Sequence, residues 1–324
     1  MSDSNELRIV EAVRQALHEE MVRDSEVLVY GEDVGIDGGV FRATQGLIED
    51  HPGRVHDSPL GEAGIIGLGI GLAATGLKPV PEIQFQSFLY QGFHQLQQHA
   101  SRLRSRSRGT LSCPMTIRTP YGGGIRALEH HSDSYEAGFA HVPGLKVVIP
   151  STPSDTKGLL TAAIRDPDPV VFMEPTRLYR AFREPVPEGE HVVSLGEAAI
   201  RRTGDELTVV AWGSMVREAT DAVDKTGVSA DVIDLRTISP MDTDAIVESV
   251  KKTGRCVVVH EAPRTAGMAA EIVARITDEA FLYLEAPVER VTGYDVPVPM
   301  FAREEAYLPN SDRIATAIER TVGF

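Results

Sequence analysis

Glu62 stands at the mouth of an almost wholly apolar, glycine-rich run, Gly61 to Leu77. An ionised carboxylate in such a place is costly unless something pairs with it. Ser58-Pro59 reads as an N-cap followed by proline at the first helical position, which sets Glu62 in an opening turn where the helix dipole favours an anion. A helix-start carboxylate and a reactive one are both open readings on these grounds. Three more groupings carry chemistry-bearing side chains. Gln84-Phe-Gln-Ser-Phe88 is a strand end with two aromatic rings beside polar groups, suited to holding a flat ring and equally suited to a core. Thr119-Pro-Tyr-Gly-Gly-Gly124 is a flexible loop or simply a turn. Glu129-His-His-Ser-Asp-Ser134 brings imidazole and carboxylate together where a loop runs into a helix. Adjacent His130 and His131 are expected to point to different sides, which argues against a shared metal.

Several chemistries are excluded. No GxGxxG opens a helix after a strand, no GxxxxGK[ST] occurs, and Gly67-Leu-Gly-Ile-Gly71 lies inside an expected helix, so no nucleotide cradle is present. Trp212-Gly-Ser-Met lacks the second glycine of a hydrolase nucleophile elbow. With 32 basic and 47 acidic residues the net charge is −15, the wrong sign for nucleic acid. Only six of the basic residues are lysine, a skew expected of either high-salt adaptation or a GC-rich genome. Cys113 and Cys256 form no CxxC pair, so a disulfide framework or zinc site is not expected. No segment approaches the ~20 apolar residues of a membrane span. The acidic start, Met1-Ser-Asp-Ser-Asn-Glu, is unlike a secretory leader, so the expected location is the cytoplasm.

The elements that must position these groups alternate. Residues 6–22 carry apolar positions at helical spacing, and Val27–Tyr30 reads as a buried strand. Residues 79–85, 115–118, 145–149 and 170–174 read as further strands, with helices over 91–107 and 156–165. Proline, glycine and charge concentrate between 180 and 195. Beyond them strands at 207–212, 230–235 and 256–260 alternate with helices at 216–225, 243–252 and 268–277, and a last helix falls at 311–320. The fold class is therefore α/β, two domains, each a mostly parallel sheet with helices on both faces. The boundaries are 1–185 for the first domain, 186–198 for a linker and 199–324 for the second.

Eight ordered blocks carry a resemblance: Gly31-Glu-Asp-Val-Gly, Gly39-Val-Phe-Arg-Ala-Thr-Gln-Gly-Leu, Pro59-Leu-Gly-Glu-Ala-Gly-Ile, Glu82-Ile-Gln-Phe, His131-Ser-Asp-Ser-Tyr-Glu-Ala, Pro143-Gly-Leu-Lys-Val-Val-Ile-Pro-Ser, Asp234-Leu-Arg-Thr and Lys252-Thr-Gly-Arg. Over essentially its whole length the chain resembles the beta subunit of the thiamine-diphosphate-dependent 2-oxo acid dehydrogenase component. The resemblance implies a pyrimidine-binding domain followed by a C-terminal domain of the transketolase type. It implies that Glu62 hydrogen-bonds the cofactor's aminopyrimidine and activates it, that Phe85 and Phe88 pack near that ring, and that His131 faces the thiazolium and moves protons during acyl transfer. Asp133 is inferred to orient that imidazole. It further implies a structural potassium ion held, mainly through backbone carbonyls, by Met115, Ala163, Ile164, Asp166 and Asp168. Pro167-Asp168 departs from the asparagines expected there.

Family members that hold the whole cofactor carry Gly-Asp-Gly followed after about thirty residues by Asn, the Mg²⁺ and diphosphate site. This chain has no Gly-Asp-Gly. The expected partner is therefore an alpha subunit that supplies Mg²⁺ and the diphosphate end, in an α2β2 heterotetramer serving a lipoyl acyltransferase. The expected substrate is a 2-oxo acid, pyruvate or branched-chain. An acetoin dehydrogenase beta subunit and a non-catalytic scaffold of the same fold remain the alternatives, although the presence of Glu62 and His131 disfavours the scaffold.

Overall fold

The computed structural model describes residues 5–324. The chain divides into two compact units, residues 5–121 with 138–195, and 122–137 with 196–324. The first unit therefore extends through residues assigned above to a linker. Val193 donates its amide to the Gly158 carbonyl at 3.1 Å, and Val193 and Leu195 pack on the first core. Conversely, 122–137 lies within the stretch read as the first domain yet packs with the second unit, for a reason that lies in its backbone amides.

In the first unit six strands run parallel: β1 (Val27–Gly31), β2 (Val55–Asp57), β3 (Lys78–Glu82), β4 (Thr116–Tyr121), β5 (Lys146–Val148) and β6 (Val170–Pro175), in the order β5-β6-β4-β3-β1-β2. All residues of β4 and β6 are buried, as expected of strands covered on both faces. Helices α1 (Ile9–Arg23), α2 (Glu62–Ala74) and α3 (Pro153–Arg165) pack around the sheet, and Val10, Val13, Leu17 and Met21 of α1 share one core with Leu159, Leu160 and Phe172.

The second unit is a five-stranded sheet of order β11-β10-β8-β9-β7, with β7 (Ala199–Arg202), β8 (Leu207–Ala211), β9 (Ala230–Asp234), β10 (Cys256–Pro263) and β11 (Glu289–Gly293). Only β7 is antiparallel. Helices α4 (Met215–Thr226), α5 (Thr243–Thr253), α6 (Met268–Ala280) and α7 (Ser311–Val322) follow its strands, and apolar faces of α4 and α7 close a second core with Val209, Val232 and Val259. Among the described residues no helix is long and apolar enough to cross a membrane.

Two expectations are corrected. The segment 91–107 is not one helix but a 3-10 turn over Gln86–Gly92, a helix over Phe93–Gln98, a second turn and a last helical turn over Leu103–Arg106. His99, at φ −122° and ψ −64°, interrupts it. Helix α2 is capped by Gly61, not by Ser58-Pro59. Gly61 has φ 154°, outside the conformations open to L side chains, so the helix can start only after it.

Candidate active site

Parallel α/β sheets bind ligands beyond the carboxyl ends of their strands. On that rim of the first unit β1 runs from Gly31 into Glu32, β3 from Glu82 towards Phe85, and β2 from Asp57 towards Glu62. Asp57 fixes part of the rim by accepting from the amides of Gly35 at 2.6 Å and Ile36 at 3.2 Å.

Glu62 is the first residue of α2 and only 4% exposed. Its Oε2 is buried and meets no hydrogen-bond donor among the described residues. The opening turn of α2 lies against the 3-10 turn Gln86–Gly92 because residue 92 has no side chain. A Cβ there would stand 2.8 Å from Ile66 Cγ1 and 3.3 Å from the Glu62 carbonyl oxygen. That turn carries Gln86, 1% exposed, whose amide oxygen and nitrogen both lack partners among the described residues. Phe85 and Phe88 flank it edge to face, with centroids 5.8 Å apart, and Phe41 meets Phe85 at 5.5 Å. The structure thus brings together Glu62, Phe85 and Phe88 and adds two residues the sequence did not single out, Gln86 and Phe41. Glu32 is a third addition: its carboxyl is held above the usual carboxylate range by burial and by the charge of Glu62, against the pull of the Gly61 amide. Beneath the rim Arg118, wholly buried, bonds Glu82 at 2.8 Å and Glu174 at 2.7 and 2.9 Å.

His131 belongs to the second unit, at the end of a 3-10 turn over Glu129–His131. Its ring is not turned away from that of His130. The turn sets the two 4.4 Å apart at centroid, which corrects the expectation that adjacent histidines diverge. Burial first, and the neighbouring imidazole second, depress the His131 pKa and favour the neutral, proton-accepting form. The segment's other end is held by Glu136, 1% exposed, whose Oε1 accepts from the Trp212 indole at 3.2 Å. Burial pushes the Glu136 carboxyl up to about 7. Trp212 in turn stacks on His260, centroids 5.3 Å apart, which burial pushes down to about 4. Asp133 contributes its backbone carbonyl, which accepts from the Gly122 amide at 3.0 Å.

Met115, Ala163, Ile164, Asp166 and Asp168 all lie in the first unit. Met115 precedes β4, and its carbonyl accepts from Val170, while Asp166 caps α3 and bonds the Ala163 carbonyl. Both acidic side chains are already paired, Asp166 with Lys146 and Asp168 with Arg104. Among the described residues no three His, Cys, Asp or Glu side chains are grouped to hold a metal.

The two domains are of the transketolase type. The transketolase pyrimidine-binding domain model matches residues 5–182, and the transketolase C-terminal domain model residues 196–314. A solved structure described as a split gene transketolase, inactive beta4 tetramer, superposes with a TM-score of 0.80 at 20% identity, covering 98% of this chain and 99% of that one, a likeness of fold. The chain is 48% identical to the pyruvate dehydrogenase E1 component subunit beta of Acholeplasma laidlawii over 97% of both chains, and 48% identical to that of Bacillus subtilis over 98% of this chain and 99% of the relative. The corresponding Staphylococcus aureus protein is 46% identical with the same coverage. The chain belongs to the family of pyruvate dehydrogenase E1 component beta subunits.

Proposed function

We propose that this chain is the beta subunit of a thiamine-diphosphate-dependent 2-oxo acid dehydrogenase, acting on pyruvate together with an alpha subunit. The observation that carries the proposal is Glu62, a buried carboxylate at a helix start whose Oε2 has no donor among the described residues, inside a pyrimidine-binding domain. A flat ring bearing a basic nitrogen and an amine fits this donor and acceptor set. Glu62 would meet the ring nitrogen, the unpartnered Gln86 amide would offer both a donor and an acceptor, and Phe85 and Phe88 would cover the ring. When bound, the cofactor supplies a nucleophilic carbon and an electron sink for decarboxylation. Glu62 holds a proton on the ring nitrogen, and the surrounding apolar side chains keep water from competing for it. Neutral His131 serves as the proton acceptor and donor in transfer of the acyl group.

The absence of Gly-Asp-Gly supports an alpha subunit as the source of Mg²⁺ and the diphosphate site, in an α2β2 assembly that passes its product to a lipoyl acyltransferase. The exposed face of α2 at Gly64, Gly67, Leu68 and Gly71, with nothing within 4 Å of a Cβ built at 64 or 71, suits close packing against another subunit. A structural potassium ion on the carbonyls of Met115, Ala163 and Ile164 and of the Asp166–Asp168 turn belongs to the same proposal, since both carboxylates are already neutralised by Lys146 and Arg104. The test is decarboxylation of pyruvate against 3-methyl-2-oxobutanoate by the chain alone and with its alpha subunit, each with thiamine diphosphate and Mg²⁺. Turnover of pyruvate only in the pair is expected, and turnover by the chain alone would overturn the shared site.

A further inference from the structure

The triple glycine before His131 is not a flexible tether. Gly122, Gly124 and Arg126 alternate in the left-handed region, with φ of 83°, 95° and 56°, and the residues between them do not. Alternation of this kind turns successive amides towards a common side and makes a concavity that attracts an anion. Here the chain fills the concavity with its own side chains. Glu304 Oε1 accepts from the Gly124 amide and Oε2 from the Arg126 amide, both at 2.8 Å, while Glu261 Oε2 accepts from the Gly123 amide at 3.0 Å. At two positions a side chain would crowd the carboxylates. A Cβ on residue 122 would lie 2.8 Å from Glu261 Oε2, and one on residue 123 would lie 3.0 Å from Glu304 Oε1 and 3.1 Å from Leu308 Cδ2.

Both carboxylates stand on fixed ground. Glu261 lies on β10, and Glu304 opens a short helix, Glu304–Tyr307, seated by Val298, Tyr307 and Leu308. Glu304 is 1% exposed and Glu261 5%, so their bonds to the loop are charge-assisted and shielded from solvent. At the far end the Glu136–Trp212 bond ties the segment down again. His131 is thereby suspended between anchors at residues 123–126 and at 136.

We propose that Glu304, with Glu261, is a positioning residue that fixes the loop bearing His131 for transfer of the acyl group to the lipoyl carrier. This rests on the role given to His131 above. A glutamine at 304 can accept from one of the two amides but turns an N–H towards the other, whereas a glutamine at 261 can still serve Gly123. The experiment is Glu304→Gln in the complete enzyme with its alpha subunit, thiamine diphosphate and Mg²⁺, with Glu305→Gln on the exposed Arg126 ion pair as control. Two activities are measured, lipoyl acylation and decarboxylation with an artificial electron acceptor, together with amide exchange over residues 122–131.

Displacement of a reacting group by an ångström is expected to slow lipoyl acylation about tenfold or more, with faster exchange across the loop. Decarboxylation with the artificial acceptor should fall by less than about threefold, as should both activities of the control. Should Glu304→Gln fail to fold, Gly124→Ala, which leaves both carboxylates in place but disfavours a φ of 95°, is expected to give the same split. Unchanged exchange, or equal loss of both activities, would overturn the clamp. If the unaltered enzyme decarboxylates no 2-oxo acid, the function is refuted, while the exchange measurement still reads the clamp by itself.

Discussion

Replacing Glu62 by glutamine separates a catalytic carboxylate from a structural one. The side chain is 4% exposed and its Oε2 has no donor among the described residues, so no protein hydrogen bond is lost at that oxygen in the variant. What changes is the group offered to the cofactor. A hydrogen bond to a charged acceptor is worth about 1.5–3 kcal/mol, against about 1 kcal/mol for a neutral one. An amide also stabilises a protonated ring nitrogen far less than a carboxylate does, and loss of general-base assistance alone costs about 10²–10⁴ in rate. Pyruvate decarboxylation by the reconstituted enzyme, followed with an artificial electron acceptor, should therefore fall by about 10²–10³-fold.

Stability should move the other way. Glu32 has its folded-state pKa raised, partly by the charge of Glu62. An acid whose pKa is higher in the fold than in the unfolded chain contributes stability below its unfolded value of 4.5 and loses it as pH rises through the folded value. Removing the Glu62 charge reduces that loss. Glu32 is only partly buried, so solvent screens the effect and the gain at neutral pH is small. Thermal melting of the chain alone should thus be unchanged or slightly improved while activity collapses. Full turnover in a folded variant would refute the role of Glu62, and a large drop in melting temperature would recast it as structural.

Trp212 is the only tryptophan, so its fluorescence should titrate with Glu136 near pH 7, and Glu136→Gln should abolish the titration; a flat profile across neutral pH would contradict the buried pair. Because the Glu136 pKa is raised from 4.5 to about 7, the urea midpoint of the wild-type chain should fall as pH rises through 7, and less so in the variant. Arg118→Met leaves Glu82 and Glu174 buried without their cation and should cost about 3–5 kcal/mol in urea unfolding; a change below about 1 kcal/mol would mean that the carboxylates neutralise themselves at little cost. Two glycines of α2 should respond with opposite signs in melts of the chain alone. Gly69→Ala puts a Cβ 2.4 Å from Met115 Sδ and 2.6 Å from the Tyr30 hydroxyl and should lose about 1–3 kcal/mol, whereas Gly71→Ala meets nothing within 4 Å and should gain about 0.5–1 kcal/mol.

Much of the fold was legible because a parallel sheet writes itself as buried apolar strands between amphipathic helices, and each strand expected in the second unit is present. Where the reading failed, local signals were overridden by distant contacts. Ser58-Pro59 has the chemistry of a cap, yet the chain turns at Gly61. Residues 91–107 read as one helix, yet the backbone breaks at His99. In the candidate site Glu62, Phe85 and Phe88 stand out as chemistry-bearing side chains, but a helix start and a core are equally good local readings of them, and their proposed roles rest on the resemblance. Gln86 lies between the two aromatic residues, but nothing local says its amide will be buried and without a partner among the described residues. Glu304 was invisible, being 180 residues from Gly124 in sequence. The triple glycine reads as a flexible loop or a turn, and only the two carboxylates beneath it, distant in sequence, make it a fixed loop.

Buried acids are common in this chain, and the way each is satisfied separates the structural from the reactive. Glu82 and Glu174 share the guanidinium of Arg118. Glu304 spends both oxygens on backbone amides, so its charge is matched within its own unit. Glu136 takes another course: with one indole donor and no partner for Oε2 among the described residues, it meets burial by holding its proton up to about pH 7. Glu62 is arranged differently: it is nearly as buried as Glu82, yet among the described residues its Oε2 meets no donor, and a second carboxylate, Glu32, lies close enough to be perturbed by its charge. Placing two carboxylates together at a strand rim and leaving an oxygen of one without a donor is an arrangement that folding alone does not favour. It becomes favourable once a ligand brings a hydrogen-bond donor of positive character. A cofactor-free chain should therefore be measurably less stable than the loaded enzyme, and the part of that gain lost in Glu62→Gln measures how much of the cofactor's binding passes through this one oxygen.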